Sequence, residues 1–118
     1  MRAAAPQSDI DHTMVALADP TRRAIIAMLE GGETRVTDIA APFPISLNAV
    51  SKHIKLLERA DLVRRRKVGR EHYLSFNAAP LDEAARWIEE KRRFWSTRLD
   101  ALERILTEED TRKKRRKK

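Results

Sequence analysis

The 118-residue sequence predicts a mainly α-helical fold with one small β-hairpin and a long C-terminal helix. Three observations carry this. Apolar residues recur at helical spacing in successive stretches between residues 11 and 62. Between residues 63 and 76 the period drops to two, around a turn that contains Gly69. From Pro80 to Glu108 a helical pattern then runs unbroken.

The elements follow in order. Residues 1–10 are small and polar and are expected to be disordered. "DHTMVALA" (11–18) reads as a short helix turning Met14, Val15 and Leu17 to a core or a partner. In "DPTRRAIIAMLEGG", Asp19 suits an N-cap, Pro20 the first helical position and Gly31-Gly32 the end. Ala24, Ile25, Met28 and Leu29 make its buried stripe. "ETRVT" is a short extended piece. "TDIAAPF" is a short helix capped by Thr37 and ended by Pro42 and Pro44. Ser46 then caps "LNAVSKHIKLLER".

That last helix has two unlike sides. Leu47, Val50, Ile54 and Leu57 share one, at the spacing of a half-buried helix. Asn48, Lys52, Lys55 and Arg59 share the other, with Ser51 on the flank. A merely solvated side would more usually mix Glu with Lys. A short helix ended by prolines and followed at once by a capped one makes a helix-turn-helix unit. Its second helix offers short hydrogen-bonding groups (Ser46, Asn48, Ser51) to the base edges of a DNA major groove. Lys52 reaches a guanine or a phosphate, and Lys55 and Arg59 suit phosphates.

In the hairpin, "VRRRKVGREHYLSF", His72, Leu74 and Phe76 face one side and Glu71, Tyr73 and Ser75 the other. Arg64, Arg65, Arg66, Lys67 and Arg70 make it a wing able to grip the DNA backbone or enter the minor groove. Val68 before Gly69 fits a tight turn poorly, which points to a wing tip longer than two residues. The expected architecture is thus a winged helix-turn-helix domain over 11–108. It includes a C-terminal dimerisation helix (80–108) and is followed by a basic disordered tail (109–118).

The long helix carries Leu81, Ala85, Ile88, Trp95, Leu99, Leu102 and Leu106 at alternating four- and three-residue steps, broken by Arg92. Such a helix is longer than a domain of this size needs, and Leu102, Ile105 and Leu106 would lie in water without a second copy. Met14, Leu17, Leu81, Ile88, Trp95, Leu99, Leu102 and Leu106 are therefore the expected homodimer interface. Trp87, Phe94 and Trp95 belong to the same seam or core. The alternative open to them is the wall of a pocket for a small-molecule effector of unknown chemistry.

Charge supports a polyanionic partner. Residues 112–118 are all basic, and the rest of the chain balances 18 Lys/Arg against 18 Asp/Glu. Within that neutral remainder, residues 46–73 hold eight basic and three acidic residues. A local patch of this kind says more than the net charge of +7. The tail adds sequence-neutral DNA affinity. Arg22 and Arg23 stand in a first helical turn, where the dipole disfavours cations. They are assigned structural partners such as Asp19 or Asp38 ahead of a phosphate.

Other classes lack their residues. The sequence has no cysteine, and its three histidines, His12, His53 and His72, fall in different elements without ligand spacing, so no metal and no cofactor is expected. His53 and His72 read as structural. No Gly-rich phosphate loop, nucleophile elbow or inward carboxylate pair is present, so the chain is not expected to be an enzyme. No stretch suits a membrane span or a signal peptide, and a cytoplasmic location is expected.

"ALADPTRRAIIAML" (16–29), "SLNAVSKHIKLLERADLVRRR" (46–66) and "GREHYLSF" (69–76) together resemble the ArsR-type family of bacterial winged-helix regulators. The resemblance runs from about Asp11 to Leu106. It implies a homodimer, joined by its first and last helices, that binds a near-palindromic operator and usually represses transcription. Two departures stand out. The cysteine pair and the last-helix histidines of metal-sensing members are absent, which places this chain in a non-metal-sensing subgroup. Leu47 stands where many relatives carry Gln; by angle it leans toward the core, with a thymine methyl group as its other contact. Two competing functions remain: a winged-helix module that docks on an acidic protein, and a sequence-neutral nucleic-acid binder. Base reading needs Asn48, Ser51 and Lys52 together, whereas an acidic protein needs only the basic residues.

Overall fold

A computed structural model describes residues 5–116. The elements are α1 (Ala5–Leu17), α2 (Pro20–Leu29), β1 (Thr34–Arg35), α3 (Val36–Ala40), α4 (Leu47–Arg59), β2 (Val63–Val68), β3 (Glu71–Phe76) and α5 (Ala79–Arg116). They form two compact units, one reaching to Ala84 and one from Ala85 onward.

The first unit is built on α2, α3, α4 and the sheet. Ile25 of α2, Ile39 of α3, Val50, Ile54 and Leu57 of α4, and Leu62 and Leu74 are all fully buried. Met28, Phe43, Phe76 and Leu81 pack on that cluster. The buried stripe of α2 differs from the expected one. Ile26 lies inside with Ile25 and Leu29, and Ala24 and Met28 are only half-buried. Asp19 caps α2 by accepting from the Arg22 backbone N–H at 3.0 Å, and Pro20 occupies the first turn. Thr37, however, is not a cap. The short helix α3 begins two residues earlier than a Thr37 cap would give, at Val36 after Arg35, and has no side-chain cap bond. Ser46 does cap α4, its Oγ accepting from the Ala49 N–H at 3.1 Å.

The C-terminus of α4 closes with the paired bonds of a Schellman motif. Asp61 donates to Glu58 O at 2.9 Å and Leu62 donates to Leu57 O at 3.0 Å. Asp61 takes φ of 60°, the left-handed conformation that glycine usually supplies. Its carbonyl accepts from Asn77 Nδ2 at 2.8 Å, which ties the start of the hairpin to its end.

The sheet is three-stranded and antiparallel, in the order β1-β3-β2. The extended piece "TR" is therefore a third strand added to the expected hairpin, with Thr34 opposite Leu74 and Arg35 opposite Tyr73. The wing tip is shorter than expected. Val68 pairs with Glu71, leaving only Gly69 and Arg70 in the turn. Of the two turn residues only Gly69 has positive φ, at 62°, the pattern of a II′ turn, so Val68 stays in the strand without strain.

Both chain ends also depart from expectation. α1 starts at Ala5, inside the segment read as disordered, and α5 continues to Arg116 through most of the supposed disordered tail. Residues 1–4 and 117–118 lie outside the described residues. Pairs such as Glu108–Arg112 and Glu109–Lys113, four apart with the acid first, favour that helical continuation. At 38 residues α5 is about 57 Å long.

Candidate nucleic-acid interface

The exposed side of α4 carries Asn48, Lys52, Lys55 and Arg59, with Ser51 half-buried beside them. The opposite side, Val50, Ile54 and Leu57, anchors the helix in the core. Among the described residues, Lys52, Lys55 and Arg59 form no ion pair. Ser46 is exposed, but its hydroxyl oxygen is already engaged as the cap. Leu47 departs from expectation. It is 53% exposed rather than turned to the core, and Ile45 before the cap is 41% exposed.

The wing's charge is distributed differently from its sequence. Each of the three consecutive arginines on β2 meets a carboxylate. Arg64 lies 3.5 Å from Asp61, Arg65 makes two 3.0 Å bonds to Glu58, and Arg66 makes bonds of 2.7 and 3.0 Å to Glu33. Arg66 also sits over the ring of Tyr73, its cross-strand neighbour, 5.3 Å from the centroid. These bidentate contacts hold Glu33 below the usual carboxylate range and push Arg65 and Arg66 up. Lys67 and Arg70, at the tip, are exposed and form no ion pair among the described residues. Of the five wing residues picked out by sequence, Lys67 and Arg70 remain open to an outside anion, and Arg64, Arg65 and Arg66 are partly neutralised. The signal for this lay in Glu33, Glu58 and Asp61, whose strand partners sequence spacing does not reveal.

Arg22 and Arg23 have the structural roles expected of them, with different partners. Arg22 is 9% exposed. Its guanidinium donates to Ala16 O and Val15 O, both at 2.9 Å, and to His53 Nδ1 at 3.1 Å. Arg23 donates to Leu17 O at 2.8 Å. The two arginines thus satisfy carbonyls at the C-terminus of α1, where a helix favours cations. Asp38 instead pairs with Arg35 at 3.2 Å. Asp19 is held below its ordinary range, first by the Arg22 backbone N–H and then by the nearby His53 and Arg22.

The expected dimer residues fall into two groups. Leu17 and Leu81 pack against the core of the first unit, and Met14 is half-buried. In the second unit Ile88, Phe94, Trp95, Leu99, Leu102, Ile105 and Leu106 are 50–60% exposed. Arg92, which breaks the stripe, is tied to Glu89 at 2.6 Å. Lys91 lies over the ring of Trp87 and Arg98 over that of Phe94, 5.7 and 4.8 Å from their centroids. Among the described residues no three His, Cys, Asp or Glu side chains converge as metal ligands. Among the described residues no helix is long and apolar enough to cross a membrane.

A capped helix with an open polar side, preceded by a short helix and followed by a basic β-hairpin, defines a winged helix-turn-helix DNA-binding protein. Comparison with known proteins agrees. A family model described as a helix-turn-helix domain matches residues 17–66. The transcriptional repressor SdpR of Bacillus subtilis is 33% identical over 79 residues, covering 67% of this chain and 88% of its own. The ArsR-like transcriptional regulator from Rhodococcus sp. RHA1 superposes with a TM-score of 0.74 at 31% identity, over 84% of this chain and 93% of its own. The homodimeric winged helix-turn-helix DNA-binding domain Mb0332 from Mycobacterium bovis gives 0.60 at 26% identity, over 83% and 88%. The chain belongs to the ArsR family of winged helix-turn-helix transcriptional regulators, and is not an enzyme.

Proposed function

We propose that this regulator is a homodimeric repressor that reads a near-palindromic operator through α4. The observation that carries this is the row of Asn48, Ser51, Lys52, Lys55 and Arg59. It stands on the open side of a core-anchored helix, and none of its cations has an internal carboxylate partner among the described residues. Asn48 and Lys52, near the N-terminus, read base edges; Lys55 and Arg59 meet phosphates. Lys67 and Arg70 bring the wing tip to the backbone, with Arg64 and Arg66 behind them. Repression is supported by the likeness to SdpR, and dimerisation by the likeness to the Mb0332 homodimer.

The residues proposed for dimer contact are the apolar stripe of α5 and, in the first unit, Met14 and Leu17 of α1; a two-fold dimer carries two copies of α4, one for each half-site. The regulator belongs to a non-metal-sensing subgroup, a reading supported by the cysteine-free sequence and by the dispersed histidines. It acts in the cytoplasm, where its DNA lies. Nuclease footprinting on the DNA upstream of its own gene tests this reading. The expected result is a two-fold symmetric protected region with half-sites about one helical turn apart. Zn²⁺ added at stoichiometric amounts leaves that footprint unchanged. Protection that random duplex competes away equally well overturns the reading.

A further inference from the structure

We infer that Leu47 is a specificity-determining residue that selects a thymine in each half-site by contact with its 5-methyl group. The inference rests on the proposed reading of DNA by α4 and extends it to a residue outside the polar row. Leu47 is the first residue of α4, directly after the Ser46 cap. At about 100° per residue it stands about 60° from the middle of the buried side made by Val50, Ile54 and Leu57. Those three are fully buried, whereas Leu47 is 53% exposed. Its neighbour on the helix surface is Ser51, one turn on, which flanks Asn48 and Lys52, so the apolar side chain borders the group proposed to meet base edges.

In the major groove, hydrogen-bonding groups distinguish most base edges, and the apolar feature on offer is the thymine methyl. A leucine at the leading end of the reading helix can form no hydrogen bond there. What it gains is the removal of a methyl group and its own exposed carbons from water. A cytosine at the same place offers an amino group and no methyl, so Leu47 would leave that donor facing an apolar side chain. Discrimination follows from one contact of matched chemistry, next to the polar readout of Asn48.

The test starts from a duplex selected by the full-length protein out of a random pool. Each thymine of a half-site is then replaced by deoxyuridine, which removes the methyl and leaves every hydrogen-bonding group in place. The wild type should lose about fourfold in affinity at one position per half-site, the worth of one buried methyl-sized group. Leu47→Ala should bind the unmodified duplex about as weakly and show no further loss when that methyl is removed. Leu47→Met should restore most of the sensitivity. Because Leu47 is exposed, the Ala variant should keep its unfolding temperature and its affinity for scrambled duplex. If a preferred duplex emerges and Leu47→Ala keeps the wild-type response to every thymine methyl, α4 reads DNA and Leu47 does not. If selection yields no preferred sequence, the DNA-reading proposal itself fails and takes this inference with it.

Discussion

Arg22 Nη1 lies 3.1 Å from His53 Nδ1, which joins the first turn of α2 to the middle of α4. Guanidinium can only donate, so His53 Nδ1 is the acceptor in this contact. The same guanidinium holds two carbonyls at the end of α1. One buried side chain therefore positions α1, α2 and α4 against each other. Removing it leaves three acceptors without their donor. Arg22→Leu should lower unfolding free energy by about 1.5–3 kcal/mol, the range for hydrogen bonds to charged groups. Arg22→Lys should not restore it, because an ammonium cannot match the planar fork. Urea unfolding of the three proteins checks this; a Lys variant as stable as the wild type would argue against the network.

The Glu33–Arg66 pair restrains a wing arginine. Glu33→Gln should release Arg66 toward phosphate and raise affinity for operator and random DNA alike, steepening the salt dependence by up to about 0.9 in slope. Its pH dependence has a definite sign. The Glu33 carboxyl is held below its ordinary 4.5 by Arg66, so its contribution to stability is complete above that value. It is lost as pH falls through the lower folded value. Both groups are exposed, and the effect on unfolding is small and weakened by salt. Fluorescence titration of DNA at several salt concentrations, with unfolding curves from pH 3 to 6, measures both.

Removing residues 112–118 should lower affinity for random duplex and flatten the salt dependence by about 0.9 for each phosphate that the tail had neutralised. Sequence preference should stay the same. A truncated protein that no longer separates operator from scrambled DNA would show that the tail reads sequence.

A chain ending after Ser96 lacks Leu99, Leu102 and Leu106 and should sediment as a monomer. Leu99→Glu with Leu102→Glu gives the same answer without shortening the chain. Both residues are more than half exposed within one protomer, so the substitutions leave its core intact. A double variant that remains a dimer at micromolar concentration would remove α5 beyond Leu99 from the interface.

Much of this architecture was legible because local chemistry and core pattern agree in the first unit. Asp19, Pro20 and Ser46 mark helix starts, and Val50, Ile54 and Leu57 are buried as their spacing requires. What failed to show depends on contacts distant in sequence. Pairing of Thr34 and Arg35 with β3 lies some 40 residues away, at Leu74 and Tyr73. Glu33 neutralises an arginine 33 positions on. Leu47 fits the helical stripe by angle, yet it sits at the helix end, one turn before the first fully buried positions. The helical reach of α5 was hidden by the density of like charge at 112–116, which argues for disorder when the acids before it are ignored.

The sharpest prediction separates the two kinds of polar residue on α4. Asn48→Ala or Lys52→Ala should cost about 1–3 kcal/mol on the operator, the worth of a good base contact. On scrambled duplex the loss should be much smaller, above all for the uncharged Asn48. Lys55→Ala, Arg59→Ala and Arg70→Ala should weaken operator and scrambled DNA alike, since phosphates carry no sequence. Ile54→Ala is a separate case. Ile54 is fully buried, so truncation should cost about 2–5 kcal/mol of stability before it alters specificity. Titrations of every variant against both duplexes at one salt concentration, with thermal unfolding alongside, distinguish the three groups. Should Asn48→Ala and Lys52→Ala lose no more on operator than on scrambled DNA, α4 is not the reader. A winged-helix module docking on an acidic protein would then account better for the same basic surface.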